Sequence, residues 1–275
     1  MTVGQTLREA TARLGTDWAR DEAEMLMAHA LGVSRSAMLL AHMRDCVPAG
    51  FEPMLARRLE DEPVAYIIGE TEFYGRCFRV TPDVLIPRAD SETTLLAALE
   101  AASASARILD CGTGSGCLLL SLMAERPNAR GIGIDRSEAA LAVARENARA
   151  LGLEQRTEFR CADWTKSGWA SGLGRFDLIV ANPPYIEEGA ELDRSVRDHE
   201  PAGALFAGRD GLDDYRTLIP QLPELLTPGG AAVLEIGHRQ GEAVSALAGA
   251  AGFAADLRYD LAGRDRALTL HRSCG

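Results

Sequence analysis

The sequence predicts an α/β protein: a doubly wound, mostly parallel seven-stranded sheet, preceded by a small N-terminal helical bundle and a β-hairpin linker. Three observations predict it. Residues 2–66 repeat apolar side chains at three- and four-residue steps, residues 72–88 alternate aromatic or β-branched residues with polar ones, and from Arg107 onward short apolar runs alternate with amphipathic segments of helical length. A chain of 275 residues, 47% hydrophobic and 25% charged, has enough apolar material for a sizeable core, which excludes disordered and fibrous classes.

The bundle, assigned to residues 1–70, rests on Leu7 and Leu14, then Ala23, Leu26, Met27, Ala30 and Leu31, then Met38, Leu39 and Met43. Gly15 and Gly32 fall where helices should stop, and Ser34 is placed to cap the next one. Residues 71–88, with EFYGRCFRVTPDVLIPR and its two late prolines, read as the hairpin linker. In residues 89–275 the strand runs are RILD, GIGID, TEFRC, FDLIVA, AAVLEIG, AADLRYD and RALTLHR. Between them lie helical segments, CLLLSLMAE, SEAALAVARENARALG, DDYRTLIPQLPELL and GEAVSALAGAAG. The last two strands are joined by a short Gly-containing turn, which predicts an antiparallel hairpin at the sheet edge.

A formal net charge of -11 (29 Lys+Arg against 40 Asp+Glu) repels a phosphate backbone at long range, so direct nucleic-acid binding is not expected. Cys46, Cys77, Cys111, Cys117, Cys161 and Cys274 lie far apart with no CxxC pair, which argues against a structural zinc site and for reduced thiols. Acidic residues run through the first thirty positions, and no stretch approaches the roughly 20 apolar residues of a membrane span. The expectation is a cytoplasmic protein.

In ILDCGTGSG an acid, Asp110, ends the first strand, and Gly112, Gly114 and Gly116, interleaved with Thr113 and Ser115, form the turn into the next helix. Glycines let this turn bend tightly and approach a ligand at the carboxyl ends of the strands. The carboxylate favours a cationic or hydroxyl-rich ligand over a pyrophosphate, and the GxGxG spacing differs from the GxGxxG of dinucleotide enzymes. Asp135, ending GIGID, has two oxygens for the two hydroxyls of a ribose. After the third strand, Asp163 is placed to accept from an adenine amino group and Trp164 to pack against the base. Each signal alone also has a plain structural reading, as a tight turn, a helix cap or a core tryptophan. In this order across three strand ends they fit S-adenosylmethionine.

FDLIVA runs directly into Asn182-Pro183-Pro184-Tyr185. Proline pushes the preceding residue out of the helical region and has no N–H, so Asn182 and Pro183 should be extended with carbonyls that no helix claims. The Asn182 side-chain oxygen and the Pro183 main-chain oxygen then suit the two hydrogens of a planar NH2, with Tyr185 offering a face for its plane. Such a clamp suits an amide or exocyclic amine, whose delocalised lone pair needs help as positive charge develops on nitrogen. The same segment also fits an ordinary loop after a strand.

VANPPYI, with LIPRADSE upstream and ILDCGTGSG between them, resembles the release-factor glutamine methyltransferase family (PrmC, also called HemK). EPVAYIIGETEFYG is similar to that family's domain junction, EPAGALFAGRDGLDDYRTLI to its segment after the tetrapeptide, and GGAAVLEIGHRQGEAV to its fifth strand and following helix. LIPRADSE departs from the usual LIPRPDTE at Ala89 and Ser91, and Cys111 stands where the family usually has leucine. The resemblance implies a Rossmann-like methyltransferase that uses S-adenosylmethionine, releases S-adenosylhomocysteine, and methylates the side-chain amide of the glutamine in the GGQ motif of bacterial class 1 release factors. By position it implies that Gly112 through Gly116, Asp135, Trp164 and Asn182 contact the cofactor. Asn182, Pro183, Pro184 and Tyr185 would hold the glutamine, and the N-terminal bundle would grip the release factor. The expected working form is a monomer. Arg88 and Glu92 are expected to form an ion pair tying the hairpin to the following helix rather than to order a cofactor lid.

Three rivals remain at this point. An adenine amino-methyltransferase on nucleic acid can use the same clamp, but it needs a basic surface to bind and flip its base. A nicotinamide-dependent dehydrogenase leaves the tetrapeptide without a role. A non-catalytic adaptor that holds the nucleoside as a structural ligand leaves the clamp without one.

Overall fold

The computed structural model describes residues 1–272, in which the first two helices, α1 (Val3–Leu14) and α2 (Ala19–Leu31), end on Gly15 and Gly32 as the sequence predicts. Thr2 and Gln5 form a reciprocal capping box at the start of α1. The Ser34 hydroxyl accepts from the Ala37 N–H at 3.2 Å and starts α3 (Arg35–Ala37), which continues into a π-helical turn over Met38–His42. Two more helices, α4 (Phe51–Leu59) and α5 (Val64–Ile68), complete the set. Val3, Leu7, Leu26, Met27, Met38, Phe51 and Leu55 form its apolar core.

One compact unit comprises residues 1–70 together with a later piece, Leu192–His199. Within this unit Arg194 Nη1 lies 3.3 Å from Asp61 Oδ2, and the His199 ring is 3.3 Å from the Glu60 carbonyl. The second unit comprises residues 71–191 and 200–275.

The hairpin pairs β1 (Glu70–Phe73) with β2 (Arg76–Arg79), and Phe73 meets Phe78 edge-on at 6.2 Å between ring centroids. There follow α6 (Ser91–Ala101), β3 (Arg107–Cys111), α7 (Cys117–Glu125), β4 (Arg130–Asp135), α8 (Glu138–Ala150), β5 (Thr157–Cys161) and β6 (Phe176–Ala181). Next come α9 (Asp213–Leu218), α10 (Leu222–Leu225), β7 (Leu226–Glu235), α11 (Gly241–Ala250), β8 (Phe253–Tyr259) and β9 (Asp265–Arg272).

Among the described residues the main sheet has seven strands in the order β5-β4-β3-β6-β7-β9-β8, and β9 alone runs antiparallel to its neighbours. This is the mostly parallel, doubly wound sheet that the alternation of runs predicts, with the closing hairpin at one edge. Successive strand residues face opposite sides. Leu109, Ile134, Ile179 and Leu234 pack on one face with Tyr215, Leu218 and Val244, while Ile108, Leu178, Val180 and Val233 pack on the other with Leu95, Leu119 and Met123. The chain leaves β3 toward β4 on one side and returns through β6 on the other. That reversal opens a crevice beyond the carboxyl ends of β3, β4 and β6, where ligands bind in open α/β sheets.

Two elements differ from their sequence expectation. DDYRTLIPQLPELL is not one helix: Pro220 and Pro223 lack the N–H that a continuing helix needs, so α9 and α10 are separated by a 3₁₀ turn over Ile219–Gln221. β7 begins at Leu226 rather than Ala231, with a register shift that absorbs Pro228 and Gly229. No disulfide joins Cys46, Cys77, Cys111, Cys117 or Cys161, and Cys274 lies outside the described residues. No helix among the described residues is long and apolar enough to cross a membrane.

Candidate active site at the carboxyl ends of β3, β4 and β6

A cavity of about 280 Å³ lies at the crevice, wholly within the second unit. Its floor is the glycine turn. The N–H groups of Gly112 and Thr113 both donate to the Ile134 carbonyl at 2.9 Å, which stitches the turn to β4. Gly112 has φ 76°, and a Cβ there would come 3.1 Å from the Trp164 ring, so both backbone conformation and space call for glycine.

Asp110, one residue before the end of β3, is fully buried. One carboxyl oxygen accepts from the Thr113 hydroxyl at 2.7 Å; the other, Oδ1, is buried with no hydrogen-bond partner. Burial, and secondarily the charge of Asp135, push its pKa up to about 7. An orphaned buried carboxyl oxygen beside a cavity is costly unless something cationic or hydrogen-donating meets it. Asp135 is differently placed: its Oδ2 accepts from the Gly114 N–H at 3.0 Å and its Oδ1 from the Ser137 N–H at 2.9 Å. A carboxylate has about four lone-pair sites, so each oxygen keeps capacity for another donor.

Asp163 and Trp164 also line the cavity. Asp163 Oδ1 accepts from the N–H and the hydroxyl of Thr165, and those hydrogen bonds hold its pKa below the ordinary carboxylate value. Trp164 donates its indole N–H to Asp214 at 3.0 Å, which fixes the ring against Gly112.

After β6, Asn182 and Pro184 line the cavity; Pro183 is buried, Tyr185 is half-buried, and neither of these two lines it. No donor among the described residues reaches the Pro183 carbonyl or the Asn182 side-chain oxygen, whereas Asn182 Nδ2 points to Ser91 Oγ at 3.5 Å. Tyr185 packs on the sheet-face cluster that contains Tyr215. Its carbonyl accepts from Gln240 at 3.0 Å, and burial pushes its phenol up to about 12, so it stays neutral.

The rest of the rim comes from two irregular segments, 82–88 and 201–204. The expected Arg88–Glu92 ion pair is not formed. Arg88 pairs instead with the buried Glu200, whose other oxygen accepts from the Ile86 N–H at 3.2 Å, while Glu92 accepts from the Tyr74 N–H at 3.1 Å. Glu92 thus ties the hairpin to α6 through the backbone, and Arg88 joins the two rim segments.

Comparisons with known proteins show the family. A PrmC N-terminal domain model matches residues 5–69 and a methyltransferase domain model matches residues 102–245. A release factor glutamine methyltransferase of Cereibacter sphaeroides is 48% identical, covering 97% of each chain, and one of Moorella thermoacetica is 43% identical over 99% of each. The chain belongs to the release factor glutamine methyltransferase family. A solved methyltransferase from Pyrococcus furiosus shares the fold, with a TM-score of 0.53 at 19% identity, covering 82% of this chain and 100% of that one.

S-adenosylmethionine fits the residues present, because the buried, unpartnered Asp110 Oδ1 would meet its cationic amino group. Asp135 would take the ribose, and Asp163 and Trp164 the adenine. Cofactor affinity should therefore rise as pH climbs through about 7 and Asp110 loses its proton, and Asp110→Asn should flatten that dependence. Calorimetry at several pH values measures it; equal affinity on both sides of that pH would contradict the assignment.

A second pH effect concerns the protein alone. Burial raises Asp110 and Glu235 each to about 7, above their value of about 4 in an unfolded chain. Between those limits the folded state holds more protons than the unfolded one, so stability falls as pH rises across the window. The melting temperature of the cofactor-free protein should be lower at about pH 8 than at about pH 5, by on the order of 10 °C. Asp110→Asn should shrink that difference; a melting temperature that climbs with pH would overturn the account.

Ser91, Asp214, Glu235 and the 201–204 segment lie in the segments that carry the resemblance but were given no role there, and Arg136 lies in none of them. Glu235 alone left a local signal, a lone acid inside the apolar run AAVLEIG, since carboxylates are rarely buried unless paired.

Proposed function

We propose that the chain transfers the methyl group of S-adenosylmethionine to the side-chain amide nitrogen of the glutamine in the GGQ motif of class 1 peptide chain release factors, releasing S-adenosylhomocysteine. The observation that carries the reading is the cavity that joins the buried acceptor Asp110 to the acceptor side chain of Asn182, in a chain of this family. Bound S-adenosylmethionine supplies an electrophilic methyl group on a sulfonium. Asn182 and Pro183 act on the other reactant. Their oxygens accept the two amide hydrogens, draw electron density toward nitrogen, and stabilise the charge that develops there more than the resting amide, and once the methyl has passed from sulfur to nitrogen the surplus N–H proton is lost to water. Pro184 and Tyr185 hold the amide plane, and the alignment contributes through orientation.

The N-terminal unit takes the body of the release factor. Trp18 and Leu40, 70% and 88% exposed on that unit, are the apolar side chains that test this role. Replacing both (Trp18→Ala with Leu40→Ser) should raise KM for an intact release factor at least about tenfold, the loss of a typical contact pair, and leave KM for a short GGQ peptide unchanged. Equal effects on the two substrates would remove the unit from recognition. The enzyme works as a monomer in the cytoplasm and acts on protein.

Incubation with labelled cofactor and, separately, an intact release factor, a GGQ peptide and duplex DNA tests the reading. Label on the glutamine of the release factor is expected; label on adenine alone would replace it with nucleic-acid methylation.

A further inference from the structure

Asn182 has a donor end and an acceptor end, and only one orientation suits a glutamine NH2. With Oδ1 toward the substrate it accepts a hydrogen; turned over, it sets one NH2 against another. Something must hold it. Its Nδ2 points to the Ser91 hydroxyl at 3.5 Å, and Ser91 lies near enough to the Glu235 carboxylate for its hydroxyl to favour the charged form. Thr94 Oγ1 also donates to that carboxylate, reaching Oε2 at 3.1 Å. Ser91, Thr94 and Glu235 are 3%, 0% and 1% exposed, so water does not compete for these bonds.

We propose that Ser91 and Glu235 are positioning residues for methyl transfer: Glu235, as carboxylate, takes the single Ser91 proton, Ser91 must then accept from Asn182 Nδ2, and Asn182 Oδ1 is left facing the glutamine amide. This rests on the clamp assigned to Asn182 above. The logic is proton counting. A carboxylate can only accept, so it dictates the direction of every hydrogen bond in the chain. A protonated Glu235 can donate to Ser91, which frees the Ser91 proton for Asn182 and allows its amide to turn over. The long Ser91–Asn182 contact is of the kind that tightens when substrate is bound.

Glu235 is faced by Arg266 from β9, Asp90 before α6, Tyr185 after β6, Tyr215 from α9 and Cys117 from α7. Burial pushes the Tyr185 phenol and the Cys117 thiol up to about 12 each and the Tyr215 phenol well above its ordinary value, so these three stay neutral where Glu235 titrates. Arg266 keeps its charge, with its pKa raised by the surrounding acids and Tyr185 despite burial.

The test compares the full chain with its Ser91→Ala, Ser91→Thr and Glu235→Gln variants, using a GGQ peptide at saturating S-adenosylmethionine, with S-adenosylhomocysteine affinity measured separately. Ser91→Ala should lower kcat about tenfold or more, the effect of losing one orienting hydrogen bond, with cofactor affinity unchanged. Ser91→Thr, which keeps the hydroxyl, should restore most of the rate. Wild-type kcat should rise with pH through about 7, and Glu235→Gln should lose that limb. A wild-type kcat in Ser91→Ala, a Ser91→Thr variant as slow as Ser91→Ala, or an intact pH limb in Glu235→Gln would each overturn the proposal. A wild-type enzyme that leaves the peptide unmethylated would instead sink the clamp reading, and this inference with it.

Discussion

Asn182→Ala should lower turnover by about 10² to 10³, the range seen when one preorganised partner of a developing charge is removed from an active site. The argument turns on what alanine removes and what it spares. The glutamine nitrogen goes from a planar, conjugated amide to a centre carrying positive charge, and its hydrogens become better donors as it does so. An acceptor placed on one of them therefore gains strength along the reaction, which lowers the barrier rather than only deepening the bound state. The cofactor half of the cavity is built by other residues, Asp110 on β3 and Asp135 on β4, each held by its own hydrogen bonds. S-adenosylhomocysteine affinity should thus change little while kcat collapses. Single-turnover methylation of a GGQ peptide together with calorimetry separates the two; an unchanged single-turnover rate would remove Asn182 from the chemistry.

The site was legible in the sequence where it is built from local geometry. The glycine turn, the strand-terminal acids and the proline-locked tetrapeptide each state their backbone shape in a few adjacent residues, because glycine and proline restrict φ directly. The sheet was legible for the same reason: alternating runs of strand and helix length leave few ways to bury both faces. What stayed hidden is set by partners far along the chain. Leu192–His199 reads as a charged, solvated loop, and only Arg194 beside Asp61 and His199 beside Glu60 place it with the helical unit. Glu200 looks like one more loop acid until Arg88 and the Ile86 N–H, both more than a hundred residues earlier, claim its two oxygens. The expected Arg88–Glu92 pair does not form because the buried Glu200 takes the guanidinium. The break at Pro220 and Pro223 follows from proline punctuation present in the sequence, whose missing N–H outweighs the apolar periodicity of the run.

Replacing Asp135 should weaken cofactor binding about 10²-fold, as expected when hydrogen bonds from two hydroxyls to a charged group are lost. Comparison of two substitutions tests the cause. In Asp135→Ala the ribose loses its acceptor, and the Gly114 and Ser137 N–H groups lose theirs, so the glycine turn and the start of α8 are loosened together. Asp135→Asn keeps the shape, and if only an acceptor were needed it should rescue half the function. The geometry forbids that rescue. Both carboxyl oxygens already receive a backbone N–H, so whichever end of the amide carries NH2 must face a donor with a donor. Asparagine should therefore bind S-adenosylhomocysteine about as poorly as alanine, while leaving the folded core intact by circular dichroism. An asparagine variant with near-native affinity would mean that the Gly114 and Ser137 contacts do not constrain the carboxylate, and the ribose would then have to be held elsewhere on the cavity wall.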